Sequence, residues 1–413
     1  MKYVIIGNSA AAVGAVEGIR MRDQESSITI IAQEPHHTYA RPLISYLLSG
    51  KVSKERLAYR PDNFYTVNKV MPMLGIKVTR VDSDHKRIYL DDGKQVDYDR
   101  LLIATGSRSS EVKIAGMDLQ NVFPFYTLTD AQLLQKYLRP HMQAVVLGAG
   151  LTALKAAEAL VAKKIKTTVV VRSRILRTFL DPAAADMLVA HLRNAGVTLA
   201  VGQEVKEVMG KEAAEAVMLA DGSTLPCDFV VSAMGIVANK EIVSATSMQV
   251  DHGILVDEQL RTSVADVFAA GDVAQGYDCV TGQRRVIPIL PVAYAQGEVA
   301  GRNMAGDHAA YRGMGMNAVS FLGLPIISAG LLHGEDGDEI HVVEEKASGC
   351  YRKLVFRDQR LRGYILVNQV DRAGILTWLI RENVDVSSFK ASLIDGTFSY
   401  AHLPINVRQR QLS

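Results

Sequence analysis

The chain has 413 residues, 48% of them hydrophobic and 22% charged, a composition that excludes a disordered chain, a collagen-like repeat and a coiled coil. Lys and Arg number 46 against 44 Asp and Glu, a net charge of +2, so no global field recruits nucleic acid or anionic lipid. Cys227, Cys279 and Cys350 are far apart, a pattern that fits a reducing compartment and offers no metal-type spacing.

The first predicted element is the apolar strand 3–6. One lysine precedes it, too little for a signal peptide, and no apolar run reaches the ~18 residues of a membrane span, so a cytoplasmic protein without a membrane partner is expected. A small-residue helix from about Ala10 to Met21 and a β-branched strand Ile28–Ile31 complete a βαβ unit. The same order returns as strand Ala144–Leu147, a helix from about Leu151 to Lys163, and strand Thr167–Val171. Two copies of one unit predict two nucleotide-sized ligands. After Tyr311 come β-rich segments, Lys353–Phe356 and Gly363–Val367, and a late helix near Gly374 to Glu382, which read as a separate α+β domain.

Each βα turn is a candidate pyrophosphate cradle, because backbone N–H groups and a helix N-terminus face the ligand and small residues let it approach. The second turn, Gly148-Ala149-Gly150-Leu151-Thr152-Ala153, satisfies the GxGxxG/A pattern. The first, Gly7-Asn8-Ser9-Ala10-Ala11-Ala12, keeps the leading glycine and places a Ser9 hydroxyl where bare backbone usually meets phosphate. Glu34, at the end of the second strand, can accept from ribose hydroxyls. The corresponding place in the second unit holds Arg172, Arg174 and Arg177. Three guanidiniums there either grip a 2′-phosphate, favouring NADPH over NADH, or form a solvated loop.

Two longer runs carry a resemblance. Tyr98 to Arg108, containing Ala104-Thr105-Gly106, and Thr262 to Asp272, ending in Gly271-Asp272, resemble the ATG and GD signatures of the FAD-dependent pyridine nucleotide-disulfide oxidoreductase family. Within it the chain is similar to NAD(P)H:rubredoxin reductases, ferredoxin reductases and the diaphorase part of assimilatory nitrite reductase. The resemblance implies an α/β fold of two Rossmann-like domains, for FAD and NAD(P), plus a C-terminal α+β interface domain. The expected boundaries are 1–110 and 241–310 for the FAD domain, 111–240 for the NAD(P) domain and 311–413 for the last.

The implied cofactors are FAD and NADPH or NADH. FAD would be met by Gly7, Ser9, Ala10 and Ala11 at the first turn, by Glu34, and by Arg41 and Pro42 in the flavin-side segment Tyr39–Ser45. Val78 would pair adenine through its backbone, Ala104, Thr105, Gly106 and Arg108 come from the ATG run, and Asp272 beside Gly271 would accept from a ribityl hydroxyl. Pro291, Val292 and Ala293 open a helix whose N-terminus points at the flavin. Gly148, Gly150, Leu151, Thr152, Arg172, Arg177 and the crossing-strand Gly235 would hold the nicotinamide dinucleotide. Arg41 at the flavin edge and Lys155, where the resembling reductases carry Glu, are the candidate catalytic residues. Lys155 either meets cofactor or points to solvent from its helix. His36 and His37 lie near the same segment.

Family members that reduce disulfides or peroxide keep a cysteine over the flavin, and here no cysteine precedes Cys227. Electrons are then expected to pass from nicotinamide C4 to flavin N5 and directly onward. The expected acceptor is a small iron–sulfur or rubredoxin-like protein, steered by a local basic group such as Lys163, Lys164 and Lys166 or the tail Arg408 and Arg410. The alternatives are reduction of oxygen, as in an NAD(P)H oxidase, and a flavoprotein assembly subunit with slow turnover. A homodimer is expected, with Phe321–Ile327 as core or subunit contact.

Overall fold

A computed structural model describes residues 1–345, 347–405 and 408. The chain forms two compact units, one of residues 1–177, 189–278 and 282–313, the other of residues 178–188, 279–281 and 314–413.

The first unit begins with β1 (Lys2–Ile6), α1 (Ala10–Arg20) and β2 (Ser27–Ala32), followed by α2 (Ile44–Ser49), β3 (Val70–Leu74) and β4 (Arg100–Ile103). Next come β5 (Val122–Pro124), β6 (Gln143–Leu147), α3 (Leu151–Ala162), β7 (Lys166–Val171), β8 (Thr198–Val201) and β9 (Phe229–Ser232). The unit closes with β10 (Val267–Ala269) and α4 (Leu290–Met304). Two five-stranded sheets result, ordered β10-β4-β1-β2-β3 and β8-β7-β6-β9-β5. Their pairings are parallel, which explains why β1 and β6 read as unbroken apolar runs: helices cover both faces of such sheets. Tyr3 to Ile6 and Ala144 to Leu147 are all buried.

Register decides where the loops emerge. Ile6 pairs with Ile31 and Ile103, and Ile103 with Ala269, so the turn at Gly7, the segment after Ala32, the Ala104–Gly106 run and Gly271-Asp272 leave one sheet edge together. In the second sheet Leu147 pairs with Val170 and Ser232, which gathers the turn at Gly148, the Arg172 loop and Ala233–Gly235. These are the carboxyl edges where open parallel sheets bind ligands.

Small residues in α1 and α4 are explained by their closeness. A Cβ on Gly14 would lie 2.2 Å from the Tyr294 carbonyl oxygen, and one on Gly297 would lie 2.0 Å from that of Ala11. Larger residues would force apart the two helices that start at the first Gly turn and at Pro291.

The second unit carries an antiparallel sheet of β11 (Met316–Phe321), β12 (Leu324–Gly330), β13 (Glu339–Glu345), β14 (Cys350–Arg357) and β15 (Arg360–Val367), in the order β11-β12-β15-β14-β13. Beside it are α5 (Ala373–Arg381) and α6 (Lys390–Asp395). Its core is built from Leu354, Phe356, Tyr364, Leu366, Leu379, Phe389 and Phe398. The Phe321–Ile327 stretch is the β11–β12 hairpin, with Phe321 paired to Leu324 across the turn. Asp181 belongs to this unit. It accepts from the Tyr351 hydroxyl at 2.5 Å and lies 3.2 Å from the Lys353 ammonium, with all three residues buried.

Candidate cofactor-binding site

Gly7 has φ +124°, and a Cβ there would meet the Ala104 carbonyl oxygen at 2.0 Å, so glycine is required for the turn to clear β4. Ser9 is the N-cap of α1 in extended conformation, yet its hydroxyl caps nothing and no acidic residue lies in the first turn. The helix N-terminus therefore keeps its positive end for an anion. Ala10 and Ala11 are buried behind it. Asn8 ties the turn to the 36–38 segment: its amide nitrogen donates to the His36 carbonyl at 3.1 Å, and its oxygen accepts from Tyr65 at 2.9 Å. In that segment the buried Thr38 Oγ1 and His37 Nε2 have no hydrogen-bond partner among the described residues.

Glu34, Arg41 and Asp272, far apart in sequence, belong to one polar cluster. The Arg41 guanidinium lies 2.7 Å from Glu34, donates to the Tyr126 carbonyl at 3.0 Å, and stacks over the Tyr126 ring, 4.8 Å from its centroid. Tyr39 donates its hydroxyl to the other Glu34 oxygen at 2.7 Å. Burial pushes the Tyr39 hydroxyl up. Burial alone would weaken the charge on Arg41, but the neighbouring Tyr39 and Glu34 oxygens more than reverse this and hold it protonated. Tyr126 is pushed up to about 12, first by burial and then by Asp272. Its hydroxyl is 2.6 Å from Ser107 Oγ, which in turn donates to Asp272 at 2.8 Å. Burial raises the Asp272 carboxyl even against these hydroxyl donors and the Arg41 charge. Pro42 sits in the 3₁₀ turn that follows Ala40, and Pro291 opens α4, with Val292 and Ala293 buried.

The ATG run links the two sheets. Strands Ser107–Ser109 and Ile236–Ala238 pair antiparallel, Thr105 donates to the Asn239 carbonyl at 2.7 Å, and Asn239 returns a bond to the Thr105 carbonyl at 2.9 Å. Arg108 holds Asn239 at 2.9 Å and Glu241 at 2.8 Å. Val78 opens a strand of the small antiparallel sheet at residues 78–97, where it pairs with Leu90, two residues after Ile76, whose amide donates to the Ala32 carbonyl at 3.1 Å.

At the second turn, Gly148 has φ +116° and its Cβ would strike the Ala233 carbonyl oxygen at 2.3 Å. Gly150 is the N-cap of α3, and a Cβ built on it meets nothing within 4 Å, so the turn faces open space. Leu151 and Thr152 open that helix. Gly235 has φ +119° and its carbonyl accepts from the Ser110 amide at 3.0 Å. Arg172 and Arg177 are exposed, Arg172 standing 3.9 Å from Glu204.

Lys155 does not point to solvent. Its ammonium lies 2.5 Å from Glu158 and 4.6 Å from the Tyr46 ring centroid, and Glu158, only 5% exposed, also takes Lys51 at 3.0 Å. The buried carboxylate thus joins α3 to the end of α2. Glu158 was legible from its i,i+3 spacing to Lys155. Tyr126 had no sequence signal, because its place depends on where β5 docks.

These residues fit a flavin dinucleotide. The first turn offers an uncapped helix N-terminus, Glu34 and Asp272 are acceptors for ribose and ribityl hydroxyls, and the orphaned Thr38 hydroxyl and His37 nitrogen can take polar ligand atoms. Among the described residues no group of three His, Cys, Asp or Glu could hold a metal, and no helix is long and apolar enough to cross a membrane.

Comparison with known proteins agrees with this geometry. The model of the pyridine nucleotide-disulphide oxidoreductase family matches residues 1–297, and that of the rubredoxin NAD+ reductase C-terminal domain matches residues 316–384. The chain is 33% identical to the epsilon subunit of NADH-dependent phenylglyoxylate dehydrogenase of Aromatoleum evansii, over 95% of this chain and 94% of that one. It is 28% identical to the assimilatory nitrate reductase electron transfer subunit of Bacillus subtilis, covering 95% of this chain but 51% of that longer protein. Among solved structures, the covalent putidaredoxin reductase–putidaredoxin complex shares the fold, with a TM-score of 0.88, 24% identity, and coverage of 96% and 98% of the two chains.

Proposed function

Since the chain belongs to the pyridine nucleotide-disulphide oxidoreductase family and is an FAD-dependent NAD(P)H oxidoreductase, we propose that its electrons pass to a small iron–sulfur or rubredoxin-like protein. One observation carries this choice. No cysteine lies in the first 226 residues, so no thiol stands at the flavin-side segment to relay electrons to a disulfide or peroxide. The match of residues 316–384 to a rubredoxin reductase C-terminal domain supports it.

FAD, when bound, supplies the acceptor for a nicotinamide hydride and the donor of electrons to the partner. The chain supplies position and charge. Gly7 and Gly148 bring two helix N-termini to the two pyrophosphates, Glu34 and Asp272 take ribose and ribityl hydroxyls, and Arg41 holds Glu34 in place. The paired segments 107–109 and 236–238 set the distance between the two nucleotide sites. Lys155, anchored by Glu158, is the positioning cation on the nicotinamide side.

The proposed domain division follows the two sheets: residues 1–110 with 241–310 for FAD, 111–240 for NAD(P), and 311–413 as the interface domain. Exposed Arg172 and Arg177 support NADPH over NADH. Lys163, Lys164 and Lys166 form an exposed basic group after α3 suited to an acidic partner; the tail Arg408 is only half-buried and belongs to the second unit, and Arg410 lies outside the described residues. A cytoplasmic homodimer is part of the proposal, and sedimentation showing a 45.0 kDa species alone would remove the dimer.

A second reading has its own support. The A. evansii relative, matched over nearly its whole length, is named as a subunit, which favours a role as the electron-transfer flavoprotein of a larger enzyme.

Anaerobic stopped-flow absorbance of the purified protein tests the assignment. Rapid bleaching of bound flavin by NADPH or NADH and slow reoxidation in air are expected. Fast reoxidation would support an oxidase instead, and absence of bleaching with both nucleotides would overturn the assignment.

A further inference from the structure

Two lysines share one buried carboxylate between α2 and α3. Glu158, 5% exposed, takes the Lys155 ammonium on one oxygen at 2.5 Å and the Lys51 ammonium on the other at 3.0 Å. The Tyr46 ring lies beside both cations, its centroid 4.6 Å from the Lys155 ammonium and 5.6 Å from that of Lys51, and its hydroxyl is 3.5 Å from Lys155. These three charged groups sum to one positive charge. A purely structural tie between the two helices would be complete with one lysine on Glu158, and the second leaves the excess.

The two lysines differ in access. The Lys51 side chain is 51% exposed and is screened by water, whereas that of Lys155 is 13% exposed and acts inward. Lys155 rises from α3, whose N-cap Gly150 belongs to the second nucleotide turn, and it lies against α2, which continues the flavin-side segment after Pro42. A hydride leaving nicotinamide C4 carries two electrons and one hydrogen to the flavin, so the neutral nicotinamide ring becomes a cation and the flavin gains the negative charge. A fixed cation beside this exchange opposes the first charge and favours the second.

We propose that Lys155, positioned by Glu158 and the Tyr46 ring, discriminates oxidised from reduced nicotinamide by ring charge, weakening the hold on the oxidised product while favouring negative charge on the reduced flavin. Tyr46 presents a ring face to the ammonium, and Glu158 stops the long side chain from turning away. The proposal rests on the assignment of Lys155 to the nicotinamide side and is indifferent to the electron acceptor.

The test uses the full-length, FAD-loaded protein with no acceptor present. It is titrated with NADP+ and with tetrahydro-NADPH, whose ring is neutral and gives no hydride, while the flavin absorbance is followed. The neutral ring is expected to bind at least about tenfold tighter, and Lys155→Met to reduce that ratio to about twofold. NAD+ and tetrahydro-NADH should show the same change, because the charge sits on the ring and not on a 2′-phosphate. Lys155→Met should also lower the two-electron potential of the bound flavin by about 30 mV, the equivalent of a tenfold change. Lys155→Arg should keep most of both properties, and Glu158→Gln should move both in the opposite direction, since the countercharge is lost. A merely structural role would move Lys155→Met and Glu158→Gln the same way, and that result would overturn the proposal. Equal binding of the two rings by the unaltered protein would overturn it whether or not the variants fold. Failure of the proposed acceptor would leave all of these values untouched, and absence of binding by all four nucleotides would overturn the nicotinamide assignment itself.

Discussion

Arg41 and Glu34 form an ion pair of 2.7 Å, although sequence reading places one at the flavin edge and the other at the adenosine ribose. The pair turns two separate contacts into one preorganised acceptor: Arg41 fixes one Glu34 oxygen and Tyr39 fixes the other. Arg41 also spans to Tyr126, so the strand entering the second sheet is tied to the first nucleotide site.

Arg41→Ala therefore releases Glu34 and removes the cation from the Tyr126 face. A charge-assisted bond of about 2 kcal/mol corresponds to roughly thirtyfold weaker FAD binding. Fluorescence of FAD freed on dilution would read this directly. Arg41→Lys should restore less than half of the loss in free energy, because an ammonium cannot make the fork to Glu34 and Tyr126 together.

Gly297→Ala tests the closeness of α1 and α4. The new methyl would sit 2.0 Å from the Ala11 carbonyl oxygen, and backbone must move to admit it. A loss of about 2–3 kcal/mol in denaturant unfolding is expected, with weaker FAD retention because both helices begin at the cofactor site. Stability within about 0.5 kcal/mol of the parent would contradict the packing described.

Arg172→Ala combined with Arg177→Ala tests nucleotide choice. Both side chains are exposed, so folding should be unaffected. The Michaelis constant for NADPH should rise at least about tenfold while that for NADH changes by less than about twofold. Equal effects on both nucleotides would return the arginines to a solvated loop.

Asp307 provides a pH prediction. The backbone amide of His308, then Arg302 and Arg22, lower its carboxyl from 3.8 to about 2. A carboxylate depressed by folding contributes stability above its ordinary value and loses that contribution as pH falls through the folded one. Melting temperature should therefore decline between pH 4 and pH 2 partly through Asp307, and Asp307→Asn should flatten that limb while lowering stability near neutrality. A limb of unchanged slope in the variant would refute the role.

Sequence by itself determined the two βαβ units, because parallel strands buried on both faces must be apolar throughout and glycine alone can turn under Ala104 and Ala233. It also determined which residues stand at strand ends: β1 ends at Ile6, β2 at Ala32 and β6 at Leu147, each within a residue of where the pattern of types ends. Such features are local, legible from period and punctuation. What only the tertiary structure decided is non-local. Tyr126 joins Ser107 and Asp272 because β5 docks on β9 beside the crossing pair, and a parallel pairing of Val122 with Val230 leaves no pattern in either segment. Lys155 could be read as solvent-facing until α2 brought Tyr46 to it across 109 steps of chain, while Lys51 reached its partner Glu158 across 107. Arg352 likewise donates to the Ile394 carbonyl and lies against Gly396, 44 positions later, where a Cβ would lie 2.2 Å from its guanidinium. Contacts of this kind arise when burying apolar faces fixes the elements' positions, and the polar side chains carried along then find partners that sequence separation conceals.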